Sequence, residues 1–219
     1  MRHRKLKAVG VVLAAVLAIS AVGANAAQAG VFEADSYPAK ITGQQTSQLL
    51  FTGVVGTWKC KTVSVQGELT AESSQLNLAP IYGECSWAGV AATINMTGCT
   101  YNYTAGETIE KSSNKVEVSM DIKCPAGKLA LLTLTNGCTI RIPEQTGLNT
   151  ARAENTLAAE PKPAVDLTLE VTKVTYTVEN GSKCPNTPAD GTYTNGAFSG
   201  GIQLTAETSG GSPIGLRVT

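Results

Sequence analysis

Residues 60–85 read CKTVSVQGELTAESSQLNLAPIYGEC, with a cysteine at each end and a polar middle. After Cys60 the apolar side chains fall at Val63 and Val65, and on the far side of TAESS at Leu76 and Leu78. Alternation with a period of two is the mark of a strand with one buried and one wet face. The midpoint of 60 and 85 is 72.5, inside the polar segment. An antiparallel hairpin turning there sets the two thiols opposite each other, at the separation a disulfide requires.

The same alternation recurs outward from this hairpin, at Ile94 and Met96, Tyr101 and Tyr103, Val116 to Ile122, and Ile140 and Ile142. Threonine is frequent between these positions, as suits the solvated face of an antiparallel sheet. Short strands at this spacing, punctuated by Gly, Asn, Ser and Pro, predict an all-β chain, an antiparallel sandwich or barrel. In VDLTLEVTKVTYTV (165–178) the apolar set runs through Val165, Leu167, Leu169 and Val171, then resumes at Val174, Tyr176 and Val178. A straight strand would turn half of that set to water, so a bulge or bend is expected at Thr172-Lys173. Residues 31–45 are expected to supply a first edge strand and its turn.

Four further cysteines lie in a repeat. Gly98-Cys99-Thr100 and Gly137-Cys138-Thr139 each open an alternating run, and each leads to a second run and a Lys-Cys-Pro, at Cys124-Pro125 and Cys184-Pro185. Equivalent bonds then join Cys99 to Cys124 and Cys138 to Cys184, or else like to like, Cys99 to Cys138 and Cys124 to Cys184. The sequential scheme is preferred, because neighbouring strands usually pair. On this reading the Lys-Cys-Pro units close a repeated clasp, with Pro125 and Pro185 ending a strand just past each bridge and Cys124 and Cys184 in equivalent places. No two cysteines stand within four residues of each other, so thioredoxin-like and structural zinc motifs lack their close pairs.

The N-terminus agrees with a disulfide framework. Arg2, Arg4, Lys5 and Lys7 precede an apolar run and an Ala-x-Ala pattern ending at Ala26 or Ala29, which reads as a secretory signal peptide over residues 1–29. The apolar run falls short of the roughly 20 residues a spanning helix needs, so no integral membrane span is expected in the mature chain, 30–219. Export places the cysteines where disulfides persist. Losing the leader's four basic residues from 17 leaves 13 against 17 acidic, a net charge of −4 without a Lys/Arg cluster. That is no footprint for nucleic acid. The single histidine, His3, lies in the leader. The mature chain therefore has no imidazole for Ser-His-Asp catalysis, for a histidine zinc site or for general acid–base work.

FEADSYPAKITG after the leader, a first cysteine closing GTWKC, then Gly-Cys-Thr and Ile-Lys-Cys-Pro together resemble a family of small exported six-cysteine β proteins of actinobacteria. The resemblance spans most of the mature chain. It implies export and the cysteine framework, and transfers no active-site residue.

Residues 146–166, TGLNTARAENTLAAEPKPAVD, depart from the pattern. They are rich in Ala, Glu and Asn, and they account for the greater length of the second clasp, so they are expected to form a polar insertion loop with a helical turn or two around 151–159. Glu68, Glu72, Glu84, Glu117, Asp121, Glu170 and Asp190 are the carboxylates open to a glycosidase-like dyad, with Glu117 and Asp121 on one strand face. Solvated charge is the simpler reading of that polar face. Trp58, Tyr82, Tyr101 and Tyr103 are assigned to packing. Trp87, beside a hairpin-like loop, is the one aromatic expected to be exposed, as a binding residue. The triplets at Asn95, Asn102 and Asn180 match the glycosylation sequon and are read as chance in a Thr-rich chain. The functional expectation is an extracellular, non-catalytic binding or cell-surface module with a protein or polysaccharide partner and no metal or cofactor. The alternative is a carboxylate-dependent hydrolase.

Overall fold

The computed structural model describes residues 30–110, 115–156 and 162–219; the expected leader lies outside them. Strands β2 (Ala39–Gly53), β3 (Gly56–Leu69) and β4 (Gln75–Trp87) form an antiparallel meander. β5 (Val90–Asn95) turns back from β4, and β6 (Thr100–Glu110) carries on in the same direction. β7 (Lys115–Lys123) and β8 (Ala130–Leu134) return, then β9 (Thr139–Ile142) and β10 (Gln145–Thr156) descend. β11 (Ala164–Glu179) ascends, and β12 (Gly191–Thr208) pairs with both β11 and β2, which closes the ring. The expected edge strand near the N-terminus is thus no edge, since β2 has a partner on each side.

The result is an eight-column barrel in which five strands run full height and three columns are broken. The upper half of β4 pairs with β5 and its lower half with β6; the upper half of β11 pairs with β9 and its lower half with β10. An upper tier of β5, β8 and β9 therefore sits over a lower tier of β6, β7 and β10, and the chain crosses between them at 96–99, 124–129 and 143–144.

Three of the intact columns, β3, β4 and β11, change phase at the same level. In β11 the buried set is Leu167, Leu169 and Val171, then Val174, Tyr176 and Val178, and Lys173 between them has a φ of 60°. The register with β12 shifts there, so the expected bulge is present. β4 behaves alike: Leu76 and Leu78 are buried, then Cys85 and Trp87, with Glu84 at a φ of 50°. A one-residue bulge turns the inward face outward, and each tier keeps its apolar side chains in the core because the bulge absorbs the mismatch.

The hairpin of residues 60–85 forms with the expected register, Cys60 facing Cys85 and Gly67 facing Leu78, and its turn at 70–74. The disulfides are Cys60–Cys85, Cys99–Cys124 and Cys138–Cys184, the sequential scheme. The two repeat clasps are not fully equivalent. Cys124 directly follows β7, whereas Cys184 follows a 3-10 turn at Gly181–Lys183 beyond the end of β11, so Pro185 ends no strand.

Residues 146–166 are not an insertion loop. β10 runs through Gln145–Thr156 and β11 begins at Ala164, while 157–161 lie outside the described residues. Leu148, Ala151 and Ala153 are buried in the interior, and the strand is paired to β7 on one side and β11 on the other. Helix propensity differs by only tenths of a kcal/mol per residue among these types. Two ladders satisfying the backbone of a buried strand outweigh it, and alanine's small side chain fits a crowded lumen.

Both ends of the barrel are covered. Below, β1 (Phe32–Ala34) pairs with β14 (Leu216–Val218), and Phe32 exchanges backbone hydrogen bonds with Ser73 at 2.8 and 3.1 Å. Asn155 fixes β14 with both ends of its amide, donating to the Val218 carbonyl at 2.7 Å and accepting from its N–H at 2.8 Å. β13 (Pro213–Ile214) continues the edge of β12. Above, the segment carrying Cys184 is tied across the mouth, where Asn136 Nδ2 donates to the Lys183 carbonyl at 2.7 Å.

Candidate functional site

An apolar cavity of about 40 Å³ lies inside the barrel at the level of the phase change. A water needs about 10–15 Å³ on this measure, so the space matches roughly three water-sized spheres. Phe51 and Leu49 reach it from β2, Trp58 and Cys60 from β3, Phe198 from β12, and Leu132, Ile142 and Ile122 from the broken columns. Ten of the lining residues are buried, and the three that are only partly buried are Tyr82, Ile94 and Met96. Those three stand together where β4 leaves β6 for β5, and this fork is the mouth.

The barrel wall has two such forks, and they differ. On β11 the stretch 171–176 has no ladder partner on the broken side, but Gln145 fills the gap as a false rung. Its Nε2 donates to the Thr175 carbonyl at 2.9 Å and its Oε1 accepts from the Thr175 N–H at 2.7 Å. On β4 the stretch 79–84 likewise lacks a ladder partner on that side, and among the described residues no side chain takes the place of a rung there. The partly buried lining residues all stand at this second fork, and none of the cavity's lining residues lies on β10 or β11.

Polar atoms near the cavity are few. The hydroxyls of Tyr82 and Tyr101 share a hydrogen bond, and the indole N–H of Trp58 is buried without a partner. Deeper in the lower tier the hydroxyl of Tyr103 is buried and unpartnered too. Burial holds the Tyr82 phenol well above its ordinary range, and pushes Tyr101 up to about 12. Tyr103 is raised further by burial, with the Tyr101 phenol adding to it. A phenol that resists ionisation stays a hydrogen-bond donor at every physiological pH.

Trp87 is not exposed. It is 2% accessible and stacks on Trp58 with ring centroids 5.2 Å apart, because the two face each other across the β3–β4 ladder. The hairpin of β4 and β5 turns beyond it on Ala88-Gly89, and the tryptophan faces inward with the rest of its strand. The carboxylates do not gather. Glu117 is exposed on the outer face of β7, and Asp121 on the same face accepts from the Gly147 N–H at 2.7 Å and lies 3.4 Å from Lys123 Nζ. Glu84 pairs with Lys61 at 2.6 Å, and Asp190 accepts from the Gly181 N–H at 2.5 Å. Of the sequon asparagines, Asn102 is buried, Asn95 accepts from the Thr97 N–H and Asn180 donates to the Gly137 carbonyl. Among the described residues no three His, Cys, Asp or Glu side chains converge as a metal site would need, and no helix is long and apolar enough to cross a membrane.

The cavity was missed in the sequence because its walls come from nine strands. Its one local signal is the second apolar phase of β4, with Tyr82 ending the first set and Cys85 opening the next. No family model, curated protein or solved structure matches the chain.

Proposed function

We propose that this is an exported, disulfide-stapled barrel that binds a small apolar molecule non-catalytically in the waist cavity. The observation that carries the reading is the cavity itself: apolar and aromatic walls, a mouth at one fork, and both ends of the barrel covered. Eight-stranded barrels have a lumen that side chains either fill or leave open to one small ligand. Apolar concavities with a few polar groups are the usual form of small-molecule sites. Export rests on the leader pattern and on three disulfides, which suit an oxidising compartment. A polysaccharide partner has less in its favour, since Trp87 is inside the core.

Titrating the methyl-labelled mature protein with isobutene, small enough for the cavity, tests this by NMR. Shifts should concentrate on Met96, Ile94, Leu132 and Ile142. No saturable shift at these methyls, or shifts scattered evenly over the barrel, would sink the reading.

A further inference from the structure

Taking that reading as its basis, we infer that the ligand is an uncharged molecule, apolar apart from one hydrogen-bond-accepting oxygen, such as a small ketone or ester, and that it enters past Tyr82 between β4 and the β5–β6 bend.

The polar inventory of the cavity carries this. An indole N–H donates and cannot accept. Trp58 is 1% accessible and lines the cavity, and its N–H is buried without a partner. A buried donor left unpaired costs about 1–3 kcal/mol, so its presence at the wall of a cavity points to an acceptor that arrives from outside. The hydroxyls of Tyr82 and Tyr101 bring two protons and share one hydrogen bond, so one proton remains to be donated. Both groups ask for an oxygen lone pair. No charged side chain lines the cavity, so an ionised ligand would be stripped of water without a counter-charge. The size limits the ligand to a handful of heavy atoms.

The route follows from the two forks. The false rung of Gln145 bars the β11 side. On the β4 side the mouth is made of Tyr82, Ile94 and Met96, all partly exposed. Methionine's unbranched chain moves with little cost, which suits a mouth that must open.

Acetone and isobutene, of one shape and differing by the oxygen, test the inference on the mature protein. The two tryptophan indole N–H signals in a proton–nitrogen spectrum are assigned with Trp58→Phe, whose fold is checked by near-ultraviolet circular dichroism. The Trp58 signal should move downfield with the ketone and not with the hydrocarbon. In Trp58→Phe the preference for the ketone should fall about three- to tenfold, the worth of one hydrogen bond. Tyr82→Ala should speed the exchange of isobutene into the cavity. If isobutene binds but the Trp58 signal ignores the ketone, the acceptor inference is overturned while the apolar site survives. An exchange rate unaltered by Tyr82→Ala overturns the route. If neither molecule perturbs the lining methyls, the proposed function falls along with the inference.

Discussion

Gly98 and Gly137, the residues before the two Gly-Cys-Thr cysteines, have φ of 84° and 92°, where a side chain would be strained. Each ends the turn that delivers its cysteine into a strand, so the repeat seen in the sequence is a repeat of backbone geometry. The aromatic residues were less legible one by one. Trp58, Tyr101 and Tyr103 are in the core as composition suggests, but Trp87 shows how a residue next to a turn is misjudged when its cross-strand partner is unknown. Tyr103 offers a test at this scale. Its hydroxyl is fully buried with no partner, so Tyr103→Phe removes an unpaired polar group and keeps the ring. The variant should be more stable by about 1 kcal/mol in chemical denaturation. A loss of stability would show that the hydroxyl has a partner in solution.

At the scale of the element, alternation was a reliable guide wherever a strand is half wet. Threonine pairs on the outer surface, such as Thr42 with Thr205 and Thr177 with Thr192, both 3.1 Å apart, are the wet face that the pattern implied. The bulge in β11 was legible because a phase slip is written into the order of apolar residues. β10 was not legible, since alanine and polar residues carry no strand signal until two neighbours supply ladders. The join between β9 and β10 depends on a side chain in place of a strand. Gln145→Ala should leave the N–H and carbonyl of Thr175 unpaired at the fork, at a cost of about 1–3 kcal/mol. Hydrogen exchange at Thr175 should quicken more than at Leu169, which keeps its place opposite Ala151. Equal protection in both proteins would mean that the rung is not what holds the fork.

For the whole molecule, the bridges and the buried phenols set how the barrel fails. Cys138–Cys184 closes a loop of 46 residues, and in the chain-entropy model such a bridge stabilises by about 4 kcal/mol. Replacing both cysteines by serine should therefore lower the denaturation midpoint more than Gln145→Ala does. A smaller effect would locate the stability elsewhere. The phenols give a pH dependence. In the unfolded chain they ionise near 10, while in the fold burial keeps Tyr101 protonated to about 12 and Tyr82 well above its ordinary range. The folded state thus holds its protons longer, so this stability is complete below pH 10 and drains away as pH climbs towards 12. Tyrosinate absorbance and loss of near-ultraviolet dichroism should rise together in that range. Complete tyrosine ionisation with the fold intact would contradict it.

By itself the sequence determined the all-β class, the hairpin register between Cys60 and Cys85 and the β11 bulge, and favoured a sequential clasp scheme. These follow from local rules: alternation with a period of two, a turn at a midpoint, and the reach of a disulfide. Only the tertiary structure decided between sandwich and barrel, made a strand of 145–156, turned Trp87 inward and opened the cavity. Ring closure between β12 and β2, the stacking of the two tiers and a void walled by nine strands depend on residues far apart in the chain. No local pattern encodes which of them will meet, because that is settled by how eight columns share one interior.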